Sequence, residues 1–257
     1  MTDSAPRARP RVFCDDEELG YVRDRSRFAN GQGLILDETY RLAHLPLVAP
    51  LHPAVMPSKV GSYYRMGRHP CVVSLVVAIL GDALFGSPAY QQLDAELRAA
   101  PFAHKLLWDL IEARKSKLHA TLCSSLSVGY PYFGLDEAHR SALKQIGTFR
   151  IQIRGIFSGN INVGRLYLRL YPERRDGANV FHHVQRAMQC RTTDLHLVGL
   201  HNFTDDLTAA EAMALSEIMT RWWDVQILDF EVDHLNLLGA LDDLVLDSPF
   251  RERVPLA

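Results

Sequence analysis

Cysteine is scarce and scattered. The four in this 257-residue chain, Cys14, Cys71, Cys123 and Cys190, form no C-x-x-C pair. That argues against a zinc knuckle or a disulfide frame, and for reduced thiols in a cytoplasmic setting. Long apolar runs are missing too. The most apolar stretch, residues 71–80, is as long as a strand and too short for a membrane span, so no membrane partner is expected. The opening MTDSAPRARPRVF has no hydrophobic segment of the kind a secretory leader carries. Neither sign of charge dominates: 28 Lys and Arg against 30 Asp and Glu leave a formal net charge of −2. A protein that coats nucleic acid over a broad surface is disfavoured, while a local basic groove stays open. There is no P-loop, no G-x-G-x-x-G, and no G-x-S-x-G around Ser124-Ser125, which sets aside three common catalytic scaffolds. Asp205-Asp206 and Asp242-Asp243 lack metal-site spacing. His182 and His183 on a helix would point about a hundred degrees apart. A metal-dependent hydrolase built on some of the 11 histidines stays a third possibility, but no metal and no cofactor is expected.

What is present is an ordinary globular balance, 47% hydrophobic and 23% charged, enough for one large domain or a two-lobed one. Residues 1 to about 12 are polar, with Pro and Arg, and read as disordered. Residues 13–68 are irregular, with Pro46, Pro50, Pro53, Pro57 and the pair Tyr63-Tyr64. Residues 1–70 are therefore expected to be an extension wrapped on a main domain at 71–257, serving as a lid or a subunit contact. The β-branched run at 71–80 reads as a buried strand. Ser87 and Pro88 open a helix with the stripe Tyr90, Leu93, Leu97. A second helix is expected over 104–114 and a third over 135–146, with Asp136 and Glu137 at its start. Strands at 149–154 and 165–171 flank a turn with Gly159, Asn160 and Gly164, so they form a hairpin. A short helix at 180–188 and a strand at 194–200 follow. Thr208 and Glu211 make a capping box for a helix ending near Trp222 or Trp223. Strands at 230–237 and 250–256 close the chain. Mixed strands and helices with hairpins predict an α+β fold.

Two strands stand apart because each carries a histidine in an apolar setting. In Leu118-His119-Ala120-Thr121-Leu122, strand alternation puts the His119 imidazole and the Thr121 hydroxyl on one face. Such a pair can grip a phosphate, the ring moving a proton and the hydroxyl bonding a nonbridging oxygen. His196, in 194–200, is 77 residues downstream and is also followed by a helix. The halves read as loose copies facing across a pseudo-twofold cleft.

These residues resemble the 2H phosphoesterases, a family that includes 2′-5′ RNA ligase-like proteins and cyclic nucleotide phosphodiesterases and is marked by two strands bearing His-x-Thr or His-x-Ser. His119-Ala120-Thr121 fits the first motif. His196-Leu197-Val198 fits the second in part, with Val198 where the family has Thr or Ser. The resemblance covers about residues 72–256. It implies a two-lobed, duplicated antiparallel architecture with flanking helices and a central cleft. It also implies metal-independent cleavage of a cyclic phosphate or a 2′-5′ phosphodiester in a nucleotide or RNA end. His119 and His196 would be the acid-base pair, since histidine titrates near neutrality, and Thr121 a phosphate donor. Val198 would line the same substrate site. Losing one transition-state donor there costs on the order of a hundredfold in rate, which motivates the alternative of a non-catalytic nucleotide or RNA-end binding protein descended from such an enzyme. His234 and Asn236 offer a competing second pair. His196 is preferred because the helix capped by Thr208 follows it. His201 falls on the opposite strand face. Arg165, Tyr167, Arg169 and Tyr171 share one face, and Tyr167 and Arg169 are the expected substrate contacts. No obligatory protein partner is identifiable.

Overall fold

The computed structural model describes residues 12–28, 31–130 and 133–257. The disorder expected for residues 1 to about 12 falls, apart from Val12, outside the described residues. The fold is α+β, with antiparallel sheets and flanking helices. In chain order the elements are α1 (Tyr21–Asp24), α2 (Glu38–Ala43), α3 (Leu45–Val48), β1 (Arg68–Ala78), α4 (Gly81–Gly86), α5 (Pro88–Ala99), α6 (Asp109–Arg114) and β2 (His119–Val128). There follow α7 (Glu137–Ile146), β3 (Phe149–Phe157), β4 (Arg165–Pro172), the two-residue strands β5 (Arg174–Arg175) and β6 (Ala178–Asn179), α8 (Val180–Ala187), β7 (Leu197–Asn202), α9 (Ala209–Trp222), β8 (Gln226–Val232), β9 (His234–Asp242) and β10 (Phe250–Pro255).

Local chemistry explains most of the boundaries. Ser87, Asp136 and Thr208 each accept a backbone N–H as N-caps of α5, α7 and α9, and Thr208 with Glu211 forms a complete capping box. The helix expected over 104–114 is broken. Ala103–Lys105 and Lys115–Lys117 are 3-10 turns on either side of the short α6. The strand expected at 230–237 is two strands in different sheets, with the break at Asp233. Phe230 and Val232 are buried before it, and Leu235 and Leu237 after it, so the buried parity slips by one residue at the hinge.

Two four-stranded antiparallel sheets result, ordered β10-β9-β1-β2 and β7-β4-β3-β8. One hydrophobic core runs through both. The connecting helices tie the sheets together: α5 follows β1 yet packs on β8 of the other sheet, and α8 follows β4 yet packs on β2. The segment ahead of β1 is fastened by buried tyrosines. The Tyr21 hydroxyl lies 2.7 Å from the carbonyls of Leu170 and His196, and the Tyr40 hydroxyl donates to Phe203 O at 2.6 Å. Among the described residues, no helix is long and apolar enough to cross a membrane.

Candidate functional site

Edge strand β2 lies beside edge strand β7 where the two sheets meet. A cavity of about 280 Å³ opens there, just below the usual range for ligand pockets, roughly 300–1,000 Å³. β2 supplies His119, Thr121, Ser124 and Ser125 to its wall. β4 supplies Arg165 and Tyr167, α6 supplies Arg114, and β7 offers only Leu197 and Gly199. Alternation along β2 sends His119 and Thr121 to the cavity and Ala120 and Leu122 to the core. Further on, Leu122 and Cys123 are both buried and Ser124 and Ser125 both exposed. The pairing of β1 with β2 is irregular at this point and Ser125 has φ 55°. This bulge turns two successive hydroxyls into the cavity.

His119 Nδ1 lies 2.8 Å from Lys117 O. A carbonyl only accepts, so Nδ1 carries the proton and Nε2 is the basic atom of the neutral ring. Burial, with the positive charges of Arg114 and Arg165, pushes the pKa down to about 4. At neutral pH the ring is therefore an uncharged acceptor.

Arg114 is 1% exposed and Arg165 9%. Arg114 donates to the carbonyls of Gly199 (3.1 Å) and Leu200 (3.4 Å), and Arg165 to Asp243 O (3.2 Å). Both Nε atoms are buried without a partner. Among the described residues no carboxylate forms an ion pair with either guanidinium. Burial, and then the charge of Arg165, pulls the Arg114 pKa well below its ordinary value, against an opposing pull from Asp242. Asp242 itself accepts the backbone N–H groups of Leu244 and Leu246. Arg114 and Arg165 are two buried cations with no ion-paired carboxylate, although Asp242 and Asp243 also line the cavity, and together they can cradle an anion.

The carboxylate of Asp243 is occupied elsewhere. It accepts from the Tyr64 hydroxyl at 2.7 Å and lies 3.3 Å from His69 Nε2. Burial works against its charge, but the His69 hydrogen bond, the charge of His44 and the Tyr64 hydroxyl outweigh it and hold its pKa at about 2. His69 Nδ1 is 2.8 Å from Pro70 O. Burial alone would lower the His69 pKa, yet the bonds to Asp243 and Pro70 raise it above the usual value.

Several expected site residues lie elsewhere. His196 is 0% exposed and sits in the core, its ring edge-on to Phe181 at 4.6 Å. Burial, and then the charge of His182, lowers its pKa to about 4. Parity is the reason: Leu197 and Gly199 face the cavity, so His196, Val198 and Leu200 face the core. Val198 is fully buried as well and does not line the cavity. Arg169 is fully buried beneath the N-terminal segment, with Asp16, Tyr171 and the Trp223 carbonyl as partners. His234 bonds Asp233 and borders a separate depression with Arg253. Asn236 is buried in β9 between β1 and β10. Only His119, Thr121 and Tyr167 of the expected set line the cavity. His201, on the same face as Gly199, is buried against Trp108.

Sequence reading gave no site role to Arg114, His69 or Gly199, and noted Tyr63 only as one of the pair Tyr63-Tyr64. Gly199 did carry a signal, since a glycine inside a strand marks close approach of another group. A Cβ built there would run into the Arg165 guanidinium. Arg165 thus fills the space over β7 that a side chain at position 199 would need.

No family model matches the chain, and no curated protein does. Among solved structures, the crystal structure of TT0787 of Thermus thermophilus is similar at 12% sequence identity over 72% of this chain and 97% of that chain, with a TM-score of 0.35.

Proposed function

We propose that the cavity binds the phosphate of a nucleotide or RNA-end phosphate ester, and that the chain is a two-lobed, duplicated 2H phosphoesterase-like protein whose second motif has been rebuilt. The observation that carries this reading is the pair of buried arginines, without a carboxylate partner, beside His119 and Thr121. A dianionic or cyclic phosphate supplies an ion-pair partner for the two guanidinium groups, and Thr121, Ser124 and Ser125 supply hydroxyl donors. The strand that should bring a second histidine presents Leu197 and Gly199 to the cavity instead. Two-histidine acid-base catalysis thus lacks one of its groups, and binding without efficient turnover is the leading reading. A cytoplasmic setting goes with it.

Hydrolysis of a cyclic phosphate or 2′-5′ phosphodiester is the second reading, favoured by the free Nε2 of His119. That nitrogen would accept a proton from the attacking water and return it to the sugar oxygen as the P–O bond to that oxygen breaks, and Arg165 would stabilise charge on the phosphate oxygens. The deciding experiment is calorimetric titration with adenosine 2′,3′-cyclic phosphate and a 2′-5′-linked diadenylate in excess EDTA, with product analysis. Binding that Arg165→Ala abolishes, with negligible product, supports the binding reading. Turnover that His119→Ala removes and His196→Ala leaves intact supports the hydrolytic one. If neither ester binds, both are wrong.

A further inference from the structure

One wall of the cavity comes from the segment ahead of β1, outside the stretch that resembles the family. Tyr63 lines the same cavity as His119 and Arg114, yet it is 52% exposed. Its ring is not loose. It stacks on Tyr64 at a centroid distance of 5.0 Å with 27° between planes, and meets His69 edge-on at 5.7 Å. Tyr64 is fixed in turn: its hydroxyl donates to Asp243, and its ring meets the His69 edge at 5.4 Å. Asp243 also holds His69, and its carbonyl accepts from Arg165. One residue therefore anchors both the aromatic wall and an arm of the anion cradle.

An exposed aromatic ring usually lies down on apolar surface or moves freely. Here a backing of ring, imidazole and carboxylate holds a tyrosine at the mouth of an anion site. The cavity is small, so a ligand larger than a sugar phosphate must extend past the rim. A ring already oriented there offers a π-face at little ordering cost. We infer that Tyr63 is a stacking platform that makes the cavity selective for phosphate esters bearing an aromatic base over those without one. The inference rests on the phosphate-ester reading above and adds a specificity-determining residue from the N-terminal segment. No hydrogen bond to a base edge is invoked, so purine and pyrimidine esters are both accepted, the larger ring more tightly.

The test compares adenosine 2′,3′-cyclic phosphate with glycerol 1,2-cyclic phosphate, which has no base, on wild type, Tyr63→Ala and Tyr63→Phe. Base stacking is worth enough for about tenfold in affinity or more. Wild type should therefore bind the adenosine ester at least tenfold more tightly. Tyr63→Ala should remove most of that preference while leaving the glycerol ester within about twofold, and Tyr63→Phe should keep it. Because Tyr63 is half exposed, all three proteins should melt together, and circular dichroism checks this. If Tyr63→Ala weakens both esters equally, or changes neither, the platform is refuted while the phosphate cradle stands. If wild type binds neither ester, the cradle itself is refuted and the platform with it.

Discussion

A hydrogen atom at position 199 decides what the second half of the cleft can do. Gly199 lies across from Tyr167 in the β4–β7 ladder, and the Arg165 guanidinium occupies the volume a side chain would need. It also lies over the Tyr167 ring at 5.3 Å. Gly199→Thr would add a hydroxyl but expel the arginine. We expect the affinity for adenosine 2′,3′-cyclic phosphate to fall about tenfold or more, since a hydrogen bond to a charged group is worth roughly 1.5–3 kcal/mol. Unchanged affinity in calorimetry would mean that Arg165 does not hold the phosphate. The two histidines that look alike in sequence separate in the same way. His119→Ala should weaken cleft binding with little effect on folding. His196→Leu replaces a buried imidazole, whose nitrogens have no well-formed hydrogen bond, by an apolar group of similar bulk. It should leave binding within about twofold and stability at neutral pH equal or higher. A loss of binding in His196→Leu would return that residue to the site.

At the scale of elements, legibility followed the strength of local rules. The helices opened by Ser87, Asp136 and Thr208 were readable because a cap and an apolar stripe agree. The hairpin of β3 and β4 was readable from alternation and turn residues. The face of β2 that carries His119 and Thr121 was readable for the same reason. The face of β7 was misread. A histidine flanked by leucines looks functional, but Val198 and Leu200 share its parity, and those are the residues the core needs. The split at Asp233 left one slight mark, the slip in apolar parity from Phe230 and Val232 to Leu235 and Leu237, because residues 226–242 are otherwise strand on both sides. Arg114 and His69 escaped because the partners that anchor them, the Gly199 and Leu200 carbonyls and the Asp243 carboxylate, lie more than eighty residues away in sequence. The capping box offers a test confined to one element. Thr208→Ala should lower the unfolding free energy by about 1 kcal/mol, with cleft affinity unchanged, as read from urea melts and titration. A drop well beyond 2 kcal/mol would show that Glu211, which also holds Lys105 at 2.7 Å, depends on the cap for more than the helix start.

The crossing of α5 and α8 onto each other's sheets joins both sheets in one main core, so whatever protonates inside it bears on both. Three buried histidines and the partly buried His119 have depressed pKa values, each chiefly through desolvation: His44 and His201 at about 3, His119 and His196 at about 4. Unfolded, each would titrate near 6.5. Below that pH the unfolded chain binds protons that the folded chain refuses, so stability falls as pH drops from about 6.5 towards 4. Each such group contributes a slope of up to about 1.4 kcal/mol per pH unit, and four together approach 5–6 kcal/mol per unit, comparable to a whole domain's stability of roughly 5–15 kcal/mol. His69, with its raised pKa, acts at the other end: its contribution is full below 6.5 and is lost as pH rises through its folded value. It therefore leaves the acid limb untouched. The urea midpoint should accordingly hold or fall slightly above pH 7 and drop steeply between pH 6 and 5, by a transition that ordinary carboxylate titration near pH 4 would not give. His196→Leu removes one of the four refused protons, so its midpoint should fall less steeply across the same interval, by about one proton's worth of slope. A wild-type midpoint flat from pH 7 to 5, or a variant that follows the wild-type curve unchanged, would mean that these rings are charged or solvated in the folded protein. The neutral His119 base at the cleft would then have to be abandoned along with them.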